Sequence, residues 1–186
     1  MWAIVKDNEI TETFSNLKGL VVGNTRHSRK IFSLWTEAER NAIGVYEIVH
    51  DNSNRKDDTL YINTDVSYAF ADGKVTASFG TATPKEIDDV TVDGITTAGL
   101  KTVKKSFIDT ECANLLQDSD WRVTRQEETG SAMDSGWKTW RASVRTKCNS
   151  MQAQIDGAAD VDALAALYEY TGDPRTRPLG EFPVKE

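Results

Sequence analysis

Hydrophobic spacing changes character between Thr81 and Thr96, and this switch constrains the fold more than any other feature of the chain. Before it, apolar residues come in short β-prone runs bounded by turn chemistry; after it, they recur every three or four residues. A chain patterned in this way folds as strands first and helices second, the α+β class. The expected organisation is a small antiparallel β-rich domain over residues 1–80 and a linker or edge strand over 81–96. A helical hairpin or bundle over 97–170 and an extended arm over 171–186 follow.

The strands are marked by their turns. Trp2 to Val5 is followed by the turn-like Lys6-Asp7-Asn8-Glu9, and Leu20-Val21-Val22 meets Thr25-Arg26-His27 across Gly23-Asn24. Val45 to His50 and Leu60 to Ile62 read as further strands. The clearest hairpin joins Val66–Ala71 to Lys74–Phe79 through Asp72-Gly73, a pair that tolerates the positive φ angles of a type I′ turn. One short helix interrupts them: Thr36 and Glu39 make a capping box, and Gly44 ends the helix. Phe32, Leu34 and Trp35 beside it read as core.

In the second half, Leu100, Val103, Phe107, Ile108, Cys112 and Leu115 form one stripe, predicted to stop near Gln117–Asp120. Trp137, Trp140, Val144, Cys148, Met151 and Ile155 form another, closed by Gly157, at the spacing of a straight amphipathic helix. Asp160 caps a shorter helix carrying Val161, Leu164, Leu167 and Tyr168. Cys112 and Cys148 read as core thiols rather than a disulfide. Pro174, Pro178 and Pro183 exclude helix from the last residues. With Leu179, Phe182 and Val184, that arm suits docking along a neighbouring subunit; the alternative is that it folds back on its own helices.

The chemistry of the chain is sparse. The formal net charge is −7, and neither half is basic: residues 1–94 carry ten Lys/Arg against fifteen Asp/Glu, residues 95–186 twelve against fourteen. A phosphate-tracking groove is therefore not expected. The longest apolar runs, such as Gly19–Val22, are too short to span a membrane, and Met1 to Asp7 lacks the pattern of a secretory signal. The expectation is a protein that stays where it is made or travels as part of an assembly.

His27 and His50 each end a strand without a partner in sequence, and the cysteines have no zinc spacing. Asp51 to Asp57 imitates the start of a calcium loop but places Arg55 at a ligand position and Lys56 where glycine belongs. With no nucleotide, hydrolase or protease motif, the expectation is a non-enzymatic protein without cofactor or metal.

The informative residues are aromatic. Trp121, Trp137 and Trp140 fall around the joint between two helices, interleaved with Arg122, Arg125, Arg141 and Arg145. Tryptophan and arginine are typical interface anchors, while arginine stems also cover helical cores. Core is the better reading of Trp137 and Val144; Trp140 and Arg141 stay open. The candidate protein-interaction residues are Trp121, Trp140, Arg141, Leu179 and Phe182.

Leu115-Leu116-Gln117-Asp118-Ser119-Asp120-Trp121, followed by Trp140-Arg141-Ala142-Ser143-Val144-Arg145, resembles the C-terminal region of bacteriophage tail-fibre and tail-fibre-assembly proteins. In those, a Leu-Leu and Asp-Trp element precedes a helix with two arginines about four residues apart, and residues 94–170 fit that layout. The stretches Ile31 to Gly44 and Tyr68 to Val75 are similar to uncharacterised proteins from tail modules of marine phages. The resemblance implies a virion protein of the tail, made in the host cytoplasm: a fibre, baseplate or tail-tip component. Its partners would be other tail proteins and copies of itself in a homo-oligomer, without nucleic acid or membrane. A tail-fibre assembly chaperone absent from the mature particle, or a carbohydrate-binding receptor module, are the alternatives. The β-rich first half and the extra tryptophans depart from assembly chaperones and favour an incorporated component.

Overall fold

The computed structural model describes residues 1–185 and is an α+β protein, with a β-sheet region followed by helices. The chain divides into two compact units, the first ending at Thr83 and the second beginning at Pro84.

The N-terminal unit holds β1 (Trp2–Lys6), β2 (Glu9–Phe14), β3 (Leu20–Val22), β4 (Thr25–His27), helices α1 (Ile31–Leu34) and α2 (Glu37–Ala42), β5 (Val45–Asp51), β6 (Tyr61–Ile62), β7 (Ser67–Ala71) and β8 (Lys74–Ser78). Five of these strands form one sheet in the order β2-β1-β5-β8-β7. Its neighbours are antiparallel except for β5 and β8, which run parallel with Ile48 opposite Val75. That pair departs from the all-antiparallel expectation. A parallel neighbour needs a long return, and residues 52–73, through β6 and β7, supply it.

Turn chemistry fixes the hairpins. Asp7 and Asn8 have φ of 52° and 64° between β1 and β2, and Asp72 and Gly73 have 51° and 71° between β7 and β8. The β3–β4 hairpin turns on Gly23 at φ 60°. The capping box forms as the residues require: Thr36 Oγ accepts from Glu39 N–H, and the Glu39 carboxylate accepts from Thr36 N–H at 2.7 Å. Those bonds from Thr36 hold the Glu39 carboxyl below its ordinary range. Gly44 sits at φ 81°, and a Cβ there would meet the Val5 carbonyl oxygen at 2.5 Å, so no larger residue fits.

Burial in this unit falls in two clusters. Ala3, Ile48, Val75 and Ala77 form one, flanked by Tyr46 and Phe70. Phe14, Leu20, Ile31 and Val45 form the other, flanked by Trp2, Phe32 and Trp35. Leu34, read as core from sequence, is instead 72% exposed. A single turn of helix keeps Ile31 inward and leaves Leu34, at its far end, outside.

The boundary carries β9 (Thr83–Pro84), and the C-terminal unit continues with β10 (Val90–Val92) and β11 (Ile95–Thr97). These last two make a hairpin, with Val92 opposite Ile95 across Asp93 and Gly94 at φ 52° and 78°. The segment expected to be a linker or edge strand thus contains a complete turn of the Asp-Gly type.

Among the described residues four helices follow: α3 (Leu100–Gln117), α4 (Asp120–Thr129), α5 (Ser135–Asp156) and α6 (Val161–Ala166). α3 packs on α5, burying Ile108 and Cys112 of the first and Val144, Cys148, Met151 and Ile155 of the second. Asp134 caps α5 by accepting from Gly136 and Trp137 N–H, and Asp160 caps α6 by accepting from Ala163 N–H at 2.7 Å. Among the described residues, no helix is long and apolar enough to cross a membrane.

Two expectations for the helices need correction. Phe107, assigned to the apolar stripe of α3, is 65% exposed and Val103 is also exposed. Successive helical residues differ by about 100° around the axis, so once Ile108 faces α5, Phe107 cannot. The second correction concerns residues 171–185, which do not stand free. Thr171 and Thr176 exchange backbone hydrogen bonds, Leu179 N–H donates to the Leu167 carbonyl, and Leu179 is completely buried. The arm therefore follows the alternative of folding back, because Leu179 fills a place among the helices that its polar neighbours cannot.

Candidate functional site

The residues singled out by sequence converge where α3 ends, α4 begins and α5 passes. Arg141 of α5 is buried and holds this joint together. Its Nη1 donates to the Leu116 carbonyl at 2.9 Å and to Ser119 Oγ, while Nη2 donates to Asp120 Oδ1 at 2.7 Å. Ser119, itself completely buried, also donates to the Leu116 carbonyl at 2.9 Å. The guanidinium thus adds a charged donor to a carbonyl in the last turn of α3 and orients the first carboxylate of α4. Arg141 is thereby a scaffold residue. Its side chain is not available to a partner, contrary to one of its two sequence readings, since its donors turn inward.

The same joint sets out a row of aromatic rings. Trp121, on the first turn of α4, is 52% exposed. The Arg122 guanidinium lies 4.5 Å from the Trp121 ring centroid and 4.6 Å from that of Trp137, so it is held between two indoles. Its Nε is buried and has no hydrogen-bond partner. Trp137 meets Trp140 edge to face at 5.6 Å, and Lys185 Nζ lies 5.4 Å from the Trp137 centroid. Trp137, predicted to be core, is only half-buried, because one face of its ring is spent on these cations.

Trp140 is half-buried, and its Nε1 donates to the Pro183 carbonyl at 2.9 Å. Phe182, also half-buried, lines with Leu115, Trp137 and Trp140 a groove of about 640 Å³ whose rim carries Glu111 and Asp118. A second groove of about 400 Å³ lies on the other side of Trp140, between Gly136, Thr139, Ser143 and Pro183. Leu179 belongs to none of this surface. It is sealed inside the unit, its carbonyl accepting from Lys147 Nζ at 2.7 Å, and this overturns its place among the interaction candidates. Of the five candidates, Trp121, Trp140 and Phe182 share one face, with Arg141 beneath it. Arg122, named in the sequence among the arginines interleaved with the tryptophans but not among the five candidates, is the member that joins Trp121 to Trp137.

Elsewhere the polar groups serve local structure. In the loop resembling a calcium site, Asp51 Oδ1 accepts from Ser53 N–H at 2.9 Å and Asp57 Oδ1 from Thr59 N–H at 2.8 Å. Asp58 takes part in bonds with Asn63 and Arg55. Among the described residues, no group of three histidine, cysteine, aspartate or glutamate side chains could hold a metal ion. His27 stacks edge to face on Trp35 at 5.5 Å. Burial pushes the Cys148 thiol up to about 12, helped by the Cys112 thiol and the Asp109 carboxylate beside it.

The arrangement of rings and cations is suited to gripping a protein chain. No protein-family model, no curated protein and no solved structure matches this chain.

Proposed function

We propose that this chain is a structural component of a bacteriophage tail that works by protein–protein contact through the face bearing Trp121, Trp140 and Phe182. The observation that carries the contact reading is Trp121: a large aromatic ring left half-exposed, backed by the Arg122 guanidinium and Trp137, beside an aromatic groove. Half-exposed tryptophans on a rigid support are the residues that dominate binding energy in protein interfaces. The tail setting comes from the resemblance of Leu115 to Trp121 and Trp140 to Arg145 to tail-fibre and fibre-assembly proteins. Partners are other tail proteins and further copies of the chain.

Mass spectrometry of purified particles tests this reading. A structural component is present in fixed ratio to the other tail proteins. Abundance in infected cells together with absence from particles would replace it with an assembly chaperone. Trp121→Ala should lower incorporation about tenfold or more while leaving the helical signal of the purified protein unchanged.

A further inference from the structure

We propose that the segment Glu181–Lys185 is an exchangeable strap, and that the aromatic face beneath it accepts the same segment from a second copy of the chain. The strap is the ligand this face already displays. Trp140 donates its indole N–H to the Pro183 carbonyl at 2.9 Å, and half-buried Phe182 forms one wall of the groove of about 640 Å³ that Leu115 and Trp137 also line. An indole that packs on a proline-containing stretch and donates to its carbonyl is the mode by which extended, proline-rich segments are recognised. Charge agrees with this seating: Glu111 and Asp118 stand at the groove, and Lys185 lies against the Trp137 ring.

The way the strap is held favours exchange. Leu179 is its fixed root, completely buried and bonded to the Leu167 carbonyl and Lys147. Gly180 follows at φ 74°, a conformation that glycine enters and leaves at little cost. Beyond it the strap is secured at its sides. Glu181 accepts from the Tyr170 hydroxyl at 2.6 Å and pairs with Arg177 at 2.8 Å, an exposed and a half-buried group on the body side of the hinge that a second copy presents equally. Val184 is 86% exposed at the edge of the seat. The five residues of the strap, 181–185, would reach about 17 Å when extended. Swapping an identical element keeps every contact and creates a dimer at low cost. The seat within one chain competes at an effective concentration of the millimolar order, so exchange emerges where copies are crowded.

This inference deepens the contact reading of the Trp121–Phe182 face but does not depend on the tail setting. A complementation experiment tests it and is independent of particle composition. One chain is truncated after Gly180, leaving its groove empty; the other keeps the strap and carries Trp140→Phe, removing the donor of its own seat. Circular dichroism confirms that each is folded. Each alone should sediment as a monomer, and the mixture at about 100 µM should contain a species of twice the mass. A peptide of residues 181–186 should bind the truncated chain at least tenfold more tightly than the full chain. Should the truncated chain fail to fold, a full-length chain with Phe182→Ala and Pro183→Ala takes its place. Monomers alone in the mixture, with both chains folded, overturn the proposal. Peptide binding without the heterodimer also overturns it, and assigns the groove to a foreign segment of the same chemistry.

Discussion

The two units secure their folds in opposite ways. The N-terminal unit relies on backbone conformation: tight turns at Asp7-Asn8, Gly23 and Asp72-Gly73, a capping box at Thr36 and a glycine pressed on Val5. Its buried apolar residues are split between two clusters. The C-terminal unit relies on side chains that reach across long stretches of sequence. Val144, Met151, Ile155, Leu164 and Leu179 are completely buried, and one arginine ties α3, α4 and α5. Local encoding distributes stability over many modest terms, whereas encoding through a few long-range residues concentrates it. Single substitutions should therefore weigh far more heavily after Pro84 than before it.

The largest effect should come from Val144→Asp. Val144 is completely buried between α5 and α3, so the new carboxylate would have no water and no partner. Such burial costs several kcal/mol, about the whole stability of a small domain. The helical circular dichroism signal should be lost at room temperature, while amide protection in the β5–β8 sheet persists. A variant that melts with wild-type cooperativity would place the α5 stripe outside the core and dissolve the comparison.

Arg141→Ala should rank next, at about 3 kcal/mol, because it takes one donor each from the buried Leu116 carbonyl and Ser119 Oγ and removes the arginine partner of Asp120. Chemical denaturation followed by tryptophan fluorescence measures it. Arg141→Met, which keeps the stem but not the donors, should recover less than half of the loss if the hydrogen bonds dominate. Full recovery would reassign the residue to packing. On the other side of the comparison, Thr36→Ala removes a cap from a six-residue helix and should cost only about 1 kcal/mol. A loss as large as that of Arg141→Ala would mean that the N-terminal unit, too, hangs on one residue.

This contrast also explains what was legible in the sequence. Turns and caps are written in adjacent residues, so the Asp72-Gly73 hairpin, the Thr36–Glu39 box and the Asp160 cap could be read directly. The hairpin at Asp93-Gly94 carried the same signal, but the acidic cluster before it drew the reading towards a linker. Helix α4 has only Trp121 and Val123 as large apolar residues, so it offered no stripe to find. The parallel pairing of β5 with β8 depends on where a 22-residue return lands, which no local pattern states. For the site, residue type picked out Trp121, Trp140 and Phe182. It could not tell that Arg141 points inward, or that Leu179 is a root rather than a contact, because burial is decided by partners distant in sequence.

The smallest effect lies at the start of α3, where the C-terminal unit uses the local logic of the other half. Gly99, the residue before the helix, has no side chain to cap with, and a Cβ would collide with the Asp88 backbone. The chain supplies the cap from outside: Asp89 Oδ1 accepts from Gly99 N–H at 2.8 Å, and the Glu86 and Ile87 carbonyls accept from Leu100 and Lys101 N–H at 3.0 Å. The bond from Gly99 N–H, then one from Thr102, with the Lys105 charge adding to them, holds the Asp89 carboxyl below its ordinary range. A depressed folded-state pKa means that the carboxylate contributes stability above its unfolded value, near pH 4. That contribution fades as pH falls through the lower folded value. Asp89→Asn keeps an acceptor oxygen but removes the charge that the helix N-terminus favours. The variant should unfold at slightly lower urea than wild type at pH 7, and the gap should close between about pH 5 and about pH 2. A gap that stays constant down to pH 2 would show that shape rather than charge matters at this cap. A gap as large as that of Arg141→Ala would mean that local and long-range residues carry equal weight in this unit.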